Sequence, residues 1–116
     1  MVAGLNNAAL PEGLTLGENR GGYRIVKKIA VGGSSIVYLA HDSEQREVAL
    51  KEYLPASLVQ RSPGHLIPAV SPEHLDLFRL GMQHFIAEGR ALAAIVHPNV
   101  VRVRDVFSAN DTVYLV

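Results

Sequence analysis

Three short stretches of this chain carry groups able to do chemistry on an anion. Gly32-Gly33 lies between two runs rich in β-forming residues. Glycine lets backbone come close to a ligand, and glycine also permits the positive φ that a tight turn needs. The N–H groups of such a loop can point at phosphate oxygens. Lys51 closes the otherwise apolar run Val48-Ala49-Leu50-Lys51. Strand alternation puts Ala49 and Lys51 on one face and Val48 and Leu50 on the other, so a flat group fits above the small Ala49 with the ammonium beyond it. Glu88 flanks an apolar helical stripe, where a carboxylate near a buried edge is costly unless paired. Lys51 is its candidate partner. Each feature also has a plainer reading: a hairpin turn, an edge-strand lysine that guards against aggregation, and a solvated helix glutamate.

Other chemistries find less support. None of the five histidines (His41, His65, His74, His84, His97) has a partner at ligand spacing, so no metal site is assigned. There is no Gly-x-Ser-x-Gly elbow, carboxylate pair or Cys–His arrangement for nucleophilic hydrolysis. Eleven Lys+Arg balance eleven Asp+Glu, which leaves no basic surplus for nucleic acid or anionic lipid. The absence of cysteine excludes a disulfide scaffold and a thiolate metal site, and fits a reducing compartment. No apolar run is long enough to span a membrane, and the first residues lack signal-peptide character, so a cytoplasmic chain is expected. Hydrophobic residues at 48% and charged residues at 19% argue for a folded globular chain.

The elements that must position these groups follow from pattern. Residues 1–22 hold five of the ten glycines and read as a flexible N-terminal arm, loose unless it docks on something. Residues 23–116 form the folded unit. Tyr23–Val31, Ser35–His41 and Glu47–Tyr53 read as strands joined by short turns, which predicts an antiparallel meander. Residues 55–70, with Pro55, Pro63, Gly64 and Pro68, predict a loop with a short helical turn near 56–60. Ser71-Pro72-Glu73 is a helix start, and Leu75, Phe78, Met82, Phe85, Gly89, Leu92 and Val96 recur on one helical face. The helix should end near Ile95, before Pro98, with Gly81 as a point of bending. Residues 100–107 predict a fourth strand, Ala109-Asn110-Asp111 a turn, and residues 112–116 a fifth strand that looks cut from a larger domain.

Taken in order, these parts resemble the N-terminal lobe of bacterial eukaryotic-like Ser/Thr protein kinases. The stretch from Ile29 to Asp42 is similar to their glycine loop and its flanks, and Val48-Ala49-Leu50-Lys51 to their lysine strand. Lys51-Glu52-Tyr53-Leu54-Pro55 resembles a bacterial branch with an insertion before the helix. Phe85 to Leu92, followed by His97-Pro98-Asn99, is similar to the helix glutamate and the loop after it. The resemblance covers about residues 10–116. It implies an α+β fold, a five-stranded antiparallel sheet with one main helix packed on it.

The resemblance also implies roles. Ile29, Ala30, Val31, Gly32, Gly33, Ser34 and Ser35 would form the nucleotide-covering loop, with Gly32 central. Val37 and Ala49 would cover the adenine ring. Lys51 would hold the α- and β-phosphates of ATP, and Glu88 would pair with Lys51 in the active form. Leu92 and Val103 would belong to the apolar column linking the two lobes. Ala30 stands where the first loop glycine is usual; it should stiffen the start of the loop and lower nucleotide affinity without abolishing it. The catalytic loop, the Mg²⁺ ligands and the activation segment would lie in a missing C-lobe, and Val116 would fall one residue before the gatekeeper. The implied function is therefore the ATP-binding half of a kinase that phosphorylates protein Ser/Thr hydroxyls, inactive as these residues alone. The alternatives are a pseudokinase or lone lobe acting as a protein-interaction module, and an unrelated antiparallel α+β interaction domain. Besides ATP and a protein substrate, the expected partner is a second copy, joined through exposed apolar surface or by strand pairing at residues 112–116.

Overall fold

The computed structural model describes residues 7–116. The first six residues of the expected arm lie outside the described residues. From Asn7 onward the arm is not loose. It supplies strand β1 (Thr15–Leu16), which pairs with β2 (Tyr23–Val31) through Thr15↔Arg24 and Leu16↔Tyr23. Gly13 N–H donates to Ile25 O at 2.7 Å and Ile25 N–H to Leu14 O at 2.8 Å. Its glycines serve the turn rather than disorder: Gly17 and Gly22 both have positive φ, at 65° and 86°, and Gly22 N–H closes back on Gly17 O. A side chain would resist that backbone.

The meander forms at the expected bounds, with β2, β3 (Ser35–His41) and β4 (Glu47–Tyr53) antiparallel neighbours. After β4 come β5 (Val59–Gln60), β6 (Ala69–Val70), the helix α1 (Leu75–Ala93), β7 (Val106–Ala109) and β8 (Thr112–Leu115). The main sheet has six strands in the order β1-β2-β3-β4-β8-β7, not the five expected, because the arm adds one. The predicted loop at 55–70 contains a small hairpin instead, β5 on β6. The strand predicted at 100–107 begins later. Residues 100–105 are irregular, although Arg104 N–H and Val116 N–H still bond across to Val116 O and Asp105 O. Asn110 and Asp111, both with positive φ, make the two-residue turn into β8.

β2 and β7 stand far apart in the strand order, yet the Tyr23 and Phe107 rings stack with centroids 5.7 Å apart. Tyr23 O–H and Arg20 both reach Asp105. The sheet therefore curls on itself like an open barrel. Its back face is concave and holds Ile25, Ile36, Tyr38, Ala40, Leu50 and Tyr114, all buried.

α1 covers part of the front face. A 3-10 turn over Pro72–His74 precedes it, as Pro72 at a first helical position favours. The helix runs unbroken through Gly81. That glycine is there for contact, not bending: a Cβ would collide with the Tyr53 hydroxyl, which donates to Phe78 O at 3.0 Å. Tyr53 also sits between the Phe78 and Phe85 rings, 5.3 and 5.4 Å away. Gly89 meets Leu115 and Val106 in the same way. Two glycines and one tyrosine thus set how closely α1 approaches the sheet. Among the described residues no helix is long and apolar enough to cross a membrane.

Candidate nucleotide-facing site

Strand register brings three of the expected positions, Val37, Ala49 and Lys51, together. Val37 pairs with Lys51 and Leu39 with Ala49, so all four side chains share the front face of β3 and β4. Ala30 pairs with Val37 on the neighbouring strand, beside a register shift between Lys28 and Ala30 that leaves Ile29 unpaired. Ile29 and Val31 are about half exposed, at 51% and 54%. Ala49 and Lys51 are exposed as well. An apolar patch open to solvent beside an uncovered ammonium is unusual in the middle of a sheet. It is the arrangement a flat, anionic ligand would complete.

The glycine hairpin stands at the end of these strands, closed by Gly32 N–H donating to Ser35 O at 2.8 Å. Neither Gly32 nor Gly33 has the positive φ expected of a tight turn. No contact within the described residues demands glycine either: a Cβ on Gly33 would meet nothing within 4 Å and one on Gly32 only Ser35, so the loop offers bare backbone on an open side.

α1 passes close to Lys51. The ammonium lies 5.8 Å from the centre of the Phe85 ring, within cation–π reach. One turn on, Gly89 rests on Leu115, the residue paired with Lys51 across β4 and β8. Glu88 therefore sits on the turn of helix nearest Lys51, but its side chain is exposed, and among the described residues the two form no ion pair. Leu92 is half-buried and Val103 buried. A separate cleft of about 560 Å³ opens between the 55–70 segment, the start of α1 and the β7–β8 turn, and none of the expected site residues lines it. Strand pairing through residues 112–116 has no open edge, since β8 is already bonded to both β4 and β7.

The back face holds a polar cluster that the sequence reading did not find. Glu52, one residue after Lys51, is completely buried. Arg61 Nη1 and Nη2 donate to its two oxygens at 2.8 and 2.7 Å, a bidentate pair with both side chains fully covered. Tyr38 O–H donates to Oε1 at 2.8 Å and Tyr114 O–H to Oε2 at 2.6 Å. Arg61 Nε reaches Ala8 O, and Leu10 N–H donates to Tyr38 Oη. Among the described residues no buried side-chain N or O lacks a partner. Burial, and then the neighbouring Glu52 charge, push both tyrosine pKa values well above 10. Burial alone would lower the Arg61 pKa, but Glu52 outweighs it and the net shift is upward. A signal was present: Glu52 falls in phase with Val48 and Leu50, on the face that must be buried.

Two comparisons with known proteins bear on these faces; no family model matches the chain. The chain is 29% identical over 99 residues to the tyrosine-protein kinase MasK of Myxococcus xanthus, covering 82% of this chain and 12% of that one. It superposes on a solved structure described as the PpkA-294 apo form with a TM-score of 0.82 and 34% identity, over 92% of this chain and 37% of that one. The fold is that of a bacterial protein-kinase N-lobe. The back-face cluster binds the arm and the 55–70 segment to the sheet. The chain thus spans 12% of the length of MasK and 37% of that of the PpkA-294 chain.

Proposed function

We propose that the chain is the ATP-binding half of a protein-kinase catalytic domain that phosphorylates protein Ser/Thr hydroxyls. The observation that carries this reading is the shared front face of Val37, Ala49 and Lys51, open to solvent beneath a bare glycine hairpin. Val37 and Ala49 would bound the adenine, Lys51 would neutralise phosphate charge, and the hairpin would cover the phosphates. The ATP supplies the phosphoryl group. A C-lobe would supply the Mg²⁺ ligands, the base and the protein-substrate surface, so these residues alone are expected to bind nucleotide weakly and transfer no phosphate. The setting would be the cytoplasm, where ATP is held. Ser/Thr rather than Tyr as acceptor follows the sequence resemblance, while the MasK match is to a tyrosine kinase.

A second reading, a lobe that binds partners without catalysis, is favoured by Ala30 at the start of the loop and by the unmade Lys51–Glu88 pair. The test is an ADP titration followed by amide chemical shifts of the chain. Saturable shifts at residues 32–37 and 49–51, lost in Ala49→Leu, are the expected result. No shifts at millimolar ADP, or equal shifts in Ala49→Leu, would sink the nucleotide reading and leave the binding-module one.

A further inference from the structure

The glycine hairpin has few anchors of its own. Its glycines carry no side chains, and Gly33 and Ser34 are exposed. What holds its tip is the segment just after β4. Leu54 N–H donates to Ser34 O and Ala56 N–H donates to Gly33 O, both at 2.9 Å. The first continues the β3–β4 ladder beyond Ser35↔Tyr53; the second reaches past the end of that ladder to the loop itself.

The donor segment is rigid for reasons visible in the fold. Leu54 and Pro55 are buried. Pro55 O accepts from both Leu58 N–H and Val59 N–H, which makes one tight turn with Ala56 at its second position. Val59 is buried and begins β5, and two residues further Arg61 is locked onto Glu52. The hydrogen bond to Gly33 is therefore backed by the buried ion pair through a span of only five residues.

Planarity of the peptide bond turns this anchor into an orienting device. The C=O of Gly33 and the N–H of Ser34 belong to one peptide unit and point in opposite directions. Fixing Gly33 O toward Ala56 aims the Ser34 N–H away from it. Among the described residues that N–H has no acceptor. A loop donor held in a set direction with no partner is prepared for an external acceptor, in the manner of backbone anion sites.

We propose that the segment from Leu54 to Arg61 is a positioning clamp for the glycine hairpin, with the Ala56 amide as its contact and the Arg61–Glu52 pair as its anchor. It presets the direction of the Ser34 N–H and so tunes affinity for the phosphates of a nucleotide. The affinity part rests on the nucleotide reading above; the clamp does not. Ala56 and Arg61 act here as positioning residues and touch no ligand.

The test variant is Ala56→Pro. It removes the amide hydrogen, and proline suits the second position of such a turn. Ala56→Ser, which keeps the amide, is the rescue control. Three quantities are read: amide exchange at Gly32, the urea midpoint, and ADP affinity. In Ala56→Pro, Gly32 should exchange about fivefold faster, the weight of one backbone hydrogen bond, while the urea midpoint falls by no more than that one bond, offset in part by the proline's restriction of the unfolded chain. ADP affinity should fall about threefold as the competent loop becomes less populated. Ala56→Ser should match the wild type in all three. Wild-type exchange in Ala56→Pro overturns the clamp. Faster exchange with no ADP binding in any form keeps the clamp and removes the nucleotide reading. If Ala56→Pro fails to fold, wild-type exchange decides: Ala56 and Gly32 amides opening together supports the clamp, and Ala56 exchanging far faster than Gly32 overturns it.

Discussion

Lys51 and Glu52 are neighbours on one strand and live in opposite worlds. Lys51 is exposed, lies over an aromatic ring and has no ion-pair partner among the described residues. Glu52 is completely covered, and its two oxygens accept four hydrogen bonds from three side chains. The pleat alone separates them. The front face keeps polar capacity unspent, as a binding surface must. The back face spends all of it internally, and so ties together three stretches of chain that are remote in sequence. Binding and stability are thus divided between the two sides of β4.

The largest way to break this division is Arg61→Met. It leaves a buried carboxylate without its cation and should lower stability by about 3–5 kcal/mol, read from the urea midpoint. Adding Glu52→Gln should recover part of that loss, because no unpaired charge then stays buried. Next comes Gly89→Ala, which presses a methyl into Leu115 and Val106 and should cost about 1–3 kcal/mol by overpacking. A smaller effect belongs to acid. Asp42 caps the β3–β4 turn, and the Arg46 N–H, then the Glu44 N–H, hold its pKa at about 2 against an ordinary 3.8, with burial opposing them. The folded chain is the stronger acid, so this contribution is whole above about 3.8 and is lost as pH falls towards about 2. Asp42→Asn should flatten the pH dependence of the urea midpoint in that window. The smallest change sharpens the comparison most. Lys51→Met should move stability by no more than about 0.5 kcal/mol, as an exposed site does, while weakening ADP binding.

The front face was legible because its signals are local. Glycines between strands, an alternating Val-Ala-Leu-Lys run and an apolar stripe along a helix can each be read within a short window. The back face was not, because its logic is long-range. Glu52 announces a need for a partner, but nothing near it in sequence says that Arg61, inside a proline-rich segment that looks like plain loop, will meet it. The arm misled for a related reason. Its glycines read as looseness, whereas Gly17 and Gly22 supply the positive φ of a turn whose value depends on β2 being beside it. The missed sixth strand is the same error seen from the sheet. Gly81 read as a point of bending in the helix because the sequence does not show Tyr53 pressing on it.

The wiring of Glu52 has a consequence for the order in which the molecule is made. A ribosome delivers the carboxylate soon before Arg61 but well before Tyr114, which lies 62 residues further along. Until that hydroxyl emerges, one oxygen of Glu52 must keep a water molecule in its place. The nascent lobe can lay down its meander early, but it can dry its interior only when almost all of this sequence has been synthesised.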